Sequence, residues 1–147
     1  MSSADIQKLR EETGAGIMDC KRALEDAGGD LQKAKAVIHE KGLAKAEKRS
    51  ERETGAGLVQ SYVHNDRVGA LIEMRSETDF VSRSEPFREL AKNIAMQVAA
   101  MNPQDEAELM EQPFIKDASK SVRDLISEVV AKVGENVKLG QFYRIEL

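Results

Sequence analysis

LVQSYVHNDRVGALIEMR, residues 58–75, holds two runs that suit β-strands, Leu58 to Val63 and Val68 to Arg75, around the polar turn His64-Asn65-Asp66-Arg67. In the second run Val68, Ala70, Ile72 and Met74 recur at every other position, so a strand puts all four on one face. The pair predicts a β-hairpin, and the residues after it supply what that apolar face needs for burial. Ser84-Glu85-Pro86 opens a helix, since serine can cap and proline is welcome in a first turn. Its stripe is Phe87, Leu90, Ala91, Ile94, Val98 and Met101, and Asn102-Pro103 stops it. Gln104 to Gln112 is acidic and reads as a surface connection. Ser121-x-x-Asp124 predicts a second capped helix with Val122, Leu125, Ile126, Val129 and Val133 inward, closed by Gly134. A last strand places Val137, Leu139, Tyr143, Ile145 and Leu147 on alternate positions. Residues 55–147 therefore read as a β-β-α-α-β core, an α+β unit with a three-stranded antiparallel sheet and helices on one face. Leu58, Leu71 and Phe142 are candidates for an apolar second face, which would favour self-association.

Upstream of the hairpin the periodicity changes to helical. Ile6, Leu9 and Thr13 mark one stripe, Ile17, Cys20, Leu24 and Ala27 a second, and Leu31, Ala34, Val37 and Ile38 a third. Gly14-Ala15-Gly16 separates the first two helices, and Gly28-Gly29 followed by the N-cap Asp30 separates the next two. Residues 1–42 read as a small three-helix module. Residues 43–54, LAKAEKRSERET, have almost no apolar face and read as a charged helical extension or linker.

The chain of 147 residues carries a net charge of −4 and a mean hydropathy of −0.47. No apolar run approaches the roughly 20 residues that cross a bilayer, and MSSADIQKLREE has neither the basic nor the apolar segment of a secretory signal. A single cysteine, Cys20, fits a reducing compartment and a cytoplasmic protein. The negative balance argues against a dedicated nucleic-acid binder. Lys41, Lys45, Lys48, Arg49 and Arg52 form a local basic excess, diluted by Glu47, Glu51 and Glu53, which reads as a solvated face or as a strip touching a partner.

Catalytic constellations are missing from the sequence. His39 and His64 lie in different segments, Cys20 sits in an apolar helical stripe, and no CxxC, HExxH, GxSxG or phosphate loop occurs. The chain is thus expected not to be an enzyme, and to need no cofactor or metal. One segment breaks both periodic patterns. In Ser76-Glu77-Thr78-Asp79-Phe80-Val81-Ser82-Arg83-Ser84, Phe80 and Val81 lie outside the strand alternation and outside the helix stripe that begins at Phe87. Thr78 can cap a short helical turn with Asp79 in its first turn. Phe80 then either folds back on its own core or anchors a partner.

TDFV at 78–81, together with TGAGIMDCKRALEDAGGD at 13–30, resembles the elongation factor Ts family, and AKVGEN at 131–136 and QPFIKD at 112–117 agree with it. The resemblance covers nearly the whole chain. It implies a ubiquitin-associated-like three-helix module followed by an α+β dimerisation core. It also implies exchange of guanine nucleotide on one partner, the GTPase elongation factor Tu, which brings its own GDP and Mg²⁺. The exposed turn Thr78-Asp79-Phe80-Val81 would then be the partner-binding tip, Phe80 wedging into an apolar pocket of that GTPase and Asp79 orienting it. Lys21 resembles a contact from the N-terminal module, and His64, Val133 and Gly134 resemble further contact positions. Longer relatives carry two copies of the core and a helical hairpin. Here there is one copy, and only Gln104 to Glu111 stand where that insertion belongs. TDFV and AKVGEN resemble the first copy, whereas SYVHNDRVGALIE and QPFIKD resemble the second, which implies a symmetric homodimer. Tyr143 occupies the place where some short relatives have a dimer-linking cysteine, so the association would be non-covalent. Two other classes stay open: an adaptor using residues 1–45 to bind a ubiquitin-like protein, and an RNA-binding accessory using the basic strip at 41–52.

Overall fold

The computed structural model describes residues 2–147. Three helices come first: α1 (Ser3–Thr13), α2 (Ile17–Asp26) and α3 (Leu31–Arg49). Each boundary has a local chemical cause. Ser2 and Asp5 cap α1 reciprocally, and Gly14 ends it in the left-handed conformation at φ 69°. The Asp30 carboxylate accepts the amides of Gln32 and Lys33 at 2.9 and 3.1 Å to start α3. Leu9, Cys20, Ala23, Leu24 and Ala34 are fully buried among these helices and form a core of their own. Burial pushes the Cys20 thiol up from its ordinary value.

The third helix takes in the helical extension read from the sequence. It runs unbroken through Gly42 to Arg49, so most of the charged extension is simply its C-terminal half. Nor does that half lack a packing face. Gly42 is buried against Ala131 and Ser127 of a later helix, and Arg49 Nη1 donates to the Val130 carbonyl at 2.9 Å. Ala46 packs on the second core.

That core holds β1 (Ala56–His64), β2 (Val68–Ser76), α4 (Asp79–Ser82), α5 (Glu85–Met101), α6 (Glu106–Glu111), β3 (Pro113–Phe114), β4 (Asp117–Ser121), α7 (Val122–Val133) and β5 (Val137–Glu146). β1, β2 and β5 form the antiparallel sheet, with β2 in the middle. Asn65 and Asp66 take positive φ at the hairpin turn, as its primed geometry requires. The Arg67 amide closes that turn on the His64 carbonyl at 3.0 Å. Ala70, Ile72 and Met74 are buried beneath α5, together with Phe87, Leu90, Ile94 and Val98. The α+β class, the three-stranded sheet and the leading helices agree with the sequence pattern.

Four features depart from it. In β5 the pairing passes from Ile72↔Phe142 to Met74↔Leu139, so β5 spends three residues where β2 spends two. This bulge reverses the alternation. Phe142 packs on the core, while Tyr143, Ile145 and Leu147 point out at 63, 73 and 88% exposure. Leu58 also packs on the core rather than on the second face. The acidic stretch contains α6, whose Leu109 and Met110 are buried, so it pins the core instead of merely crossing its surface. QPFIKD enters a two-stranded hairpin, β3–β4, held by Gln97. That buried carboxamide donates to the Pro113 carbonyl and accepts the Ile115 amide, both at 3.0 Å.

Candidate functional site

The Thr78–Val81 turn follows β2 directly and becomes the single-turn helix α4. Thr78 is extended and caps it, its hydroxyl accepting the Val81 amide at 3.3 Å. Ser82 and Ser84 hydroxyls donate to the carbonyls of Asp79 and Val81 at 3.0 and 2.6 Å, so the turn is closed from within. Phe80 stands out of it at 86% exposure, almost without contact to its own chain. Val81, read from the sequence as part of the same exposed tip, is buried at 5% and packs on the core. The turn thus has an inner anchor and an outer ring, with Asp79 exposed beside the ring.

Helix α7 ends beside the tip. Gly134 takes φ 76° and terminates it, and the next residue, Glu135, accepts the Thr78 amide at 3.0 Å and the Thr78 hydroxyl at 2.7 Å. The neighbouring Asn136 amide donates to Glu77 Oε1 at 2.8 Å. Val133 is half-buried and Gly134 exposed, so these two share one end of the molecule with Phe80. Glu135 and Glu77 were not singled out by the sequence; the AKVGEN match was the signal available.

Lys21 and His64 lie elsewhere. Lys21 is an exposed residue of α2. His64 closes β1, exposed, with its Nδ1 3.0 Å from the Tyr62 hydroxyl. His39, the other histidine, is exposed on α3 and lies 3.3 Å from Asp124 of α7. Among the described residues no three His, Cys, Asp or Glu side chains converge as metal ligands, and no helix is long and apolar enough to cross a membrane.

The side of the sheet away from the helices presents a separate surface. Val59 and Val63 of β1, Leu71 of β2, and Tyr143 and Ile145 of β5 all face out there, between 47 and 73% exposed. Gly69 lies between Val63 and Ile145 without interrupting them.

The chain is an α+β protein, a helical module joined to a small core that displays an exposed aromatic on a capped turn. The family model described as Elongation factor TS matches residues 4–105 and again 77–147. Elongation factor Ts of Thermodesulfovibrio yellowstonii is 40% identical over 186 aligned positions, covering 97% of this chain and 94% of that protein. Elongation factor Ts of Thermotoga petrophila is 42% identical with the same two coverages. That of Solidesulfovibrio magneticus is 40% identical, covering 100 and 96%. The chain belongs to the elongation factor Ts family. With 147 residues set against 186 aligned positions, at least 39 positions of such relatives have no counterpart here.

Proposed function

We propose that this chain is a guanine-nucleotide exchange factor for elongation factor Tu, promoting GDP release during translation elongation in the cytoplasm. The observation that carries the reading is Phe80, 86% exposed on a capped and internally bonded turn. A large aromatic with so little packing of its own is poised to bury its ring in a partner, where aromatics dominate contact energy. Asp79 guides the tip by polar contacts, and Val81 anchors it from within. Lys21 on the module, His64 at the hairpin, and Val133 and Gly134 beside the tip extend the contact. Residues 1–42 act as the partner-docking module and residues 55–147 as the exchange core, with 43–54 joining them. No chemistry is performed on a substrate by this chain; the nucleotide and Mg²⁺ belong to the GTPase, from which they are displaced, and no nucleic-acid or membrane contact is required.

Burying one phenyl ring contributes roughly 1.5–3 kcal/mol, enough to displace an element of the GTPase but not to expel a tightly held nucleotide. The wider interface supplies the rest, and a second copy of the core enlarges it. We therefore include a homodimer formed through the outer sheet face. The apolar side chains of that face, between 47 and 73% exposed, support this.

The test is release of labelled GDP from elongation factor Tu, with a titration of factor against GTPase in the presence and absence of GDP. A factor that weakens GDP binding must be weakened by GDP to the same extent. Equal affinities in the two titrations would sink the exchange reading.

A further inference from the structure

The contact between Glu135 and Thr78 spans 57 residues of sequence and joins the end of α7 to the start of α4. Its chemistry is matched group by group. Thr78 presents two donors, the backbone N–H and a hydroxyl whose oxygen already accepts the Val81 amide at 3.3 Å. A carboxylate provides two acceptors in one plane, and Glu135 uses Oε1 for the amide and Oε2 for the hydroxyl. The latch is doubled in the opposite sense, since Glu77 accepts the Asn136 amide at 2.8 Å. Asn136 is itself fixed, 3% exposed, with its carboxamide donating to the Arg52 carbonyl at 2.7 Å.

Helix α4 has four residues. One turn of helix is not stable alone, because nucleation fixes several dihedrals for a single hydrogen bond. Something outside must hold it. Val81 holds the inner side by packing. Phe80 holds nothing, so its direction depends entirely on the backbone that carries it. We infer that Glu135 is a positioning residue for the tip: by fixing the Thr78 cap it sets the direction of Phe80 before the partner arrives. This rests on the reading of Phe80 as the contact with the GTPase.

The consequence is specific. If the tip is competent only a fraction of the time, apparent affinity falls by that fraction while the bound complex is unchanged. Glu135→Ala is expected to raise the half-saturating factor concentration for GDP release about tenfold, leaving the limiting release rate as it was and the chain folded at the assay temperature. That loss corresponds to about 1.4 kcal/mol. Glu135→Gln keeps one acceptor and should lose roughly threefold, by the same conversion. In a Phe80→Ala background, where no ring remains to direct, adding Glu135→Ala should change nothing further.

The inference is overturned by wild-type half-saturation in Glu135→Ala, by a lowered limiting rate, by loss of the native circular dichroism at the assay temperature, or by the same loss in both backgrounds. An independent readout is backbone amide relaxation of Asp79 and Phe80, which should show lower order in Glu135→Ala than in the wild type. If the wild-type chain fails to release GDP at all, the exchange reading falls; amide order in the variant then still decides whether Glu135 fixes the tip.

Discussion

Phe80 and Val81 are adjacent on one helical turn, yet one is 86% and the other 5% exposed. Replacing them separates contact from fold. Phe80→Ala removes a ring that touches almost nothing in its own chain, so stability should move by less than about 0.5 kcal/mol. GDP release should slow by roughly 10- to 150-fold, the equivalent of one buried phenyl ring. Val81→Ala should instead cost about 2 kcal/mol of stability, as a buried aliphatic does. Paired thermal melts and GDP-release assays check both; unfolding of Phe80→Ala would refute the outward assignment of the ring. The sequence placed the turn and its Thr78 cap, because both are local. It left the two side chains undivided, since four residues are too few for a period to show which one faces in. Glu135 was hidden for another reason: its partner is 57 positions away, and no local pattern encodes that pairing.

At the scale of elements, the long amphipathic segments were legible and the short or small-residue ones were not. Helices α5 and α7 and strands β1 and β2 carry periodic large apolar residues, and their caps at Ser121 and Gly134 are as the sequence predicts. By contrast, the β5 bulge depends on one additional residue opposite β2, which reverses every later side chain without altering composition. Helix α6 and the β3–β4 hairpin are too short to show a period. The packing face on the second half of α3 escaped notice because its contact surface is Gly42 and Ala46 rather than Leu or Ile. That surface makes its own prediction. A Cβ added at Gly42 would meet Ala131 Cβ at 3.7 Å and the Ser127 carbonyl at 3.9 Å, ordinary contact distances. Gly42→Ala should therefore raise stability by about 0.5–1 kcal/mol, the helix-propensity gain of alanine over glycine. Gly42→Leu would overfill the same seam and should lower stability by roughly 1–3 kcal/mol. Chemical denaturation of the two variants distinguishes a packed seam from a free linker, in which both substitutions would be neutral or stabilising.

At the scale of the whole molecule, one apolar surface is left without cover. The sheet has helices on one side only, and its other side carries Val59, Val63, Leu71, Tyr143 and Ile145 in the open. A contiguous apolar face of this kind marks an interaction surface. A two-fold axis through it would pack sheet on sheet, each copy covering the same residues of the other. The bulge decides which residues of β5 take part: without it Tyr143 and Ile145 would turn inward and Phe142 outward. Leu71 sits on the central strand, paired with both neighbours through Ser61 and Tyr143. Leu71→Glu would place two like charges near one another at a desolvated interface, since symmetry repeats the substitution. The folded monomer should tolerate it, because Leu71 is 47% exposed there. Sedimentation equilibrium should give a dimer for the wild type and a monomer for Leu71→Glu, with circular dichroism unchanged. If the dimer supplies the second half of the exchange surface, GDP release by the wild type should depend on factor concentration through the monomer–dimer equilibrium, and Leu71→Glu should lose most of its activity. A wild-type chain that sediments as a monomer at the concentrations where it releases GDP would show that one core suffices, and the outer sheet face would need another occupant.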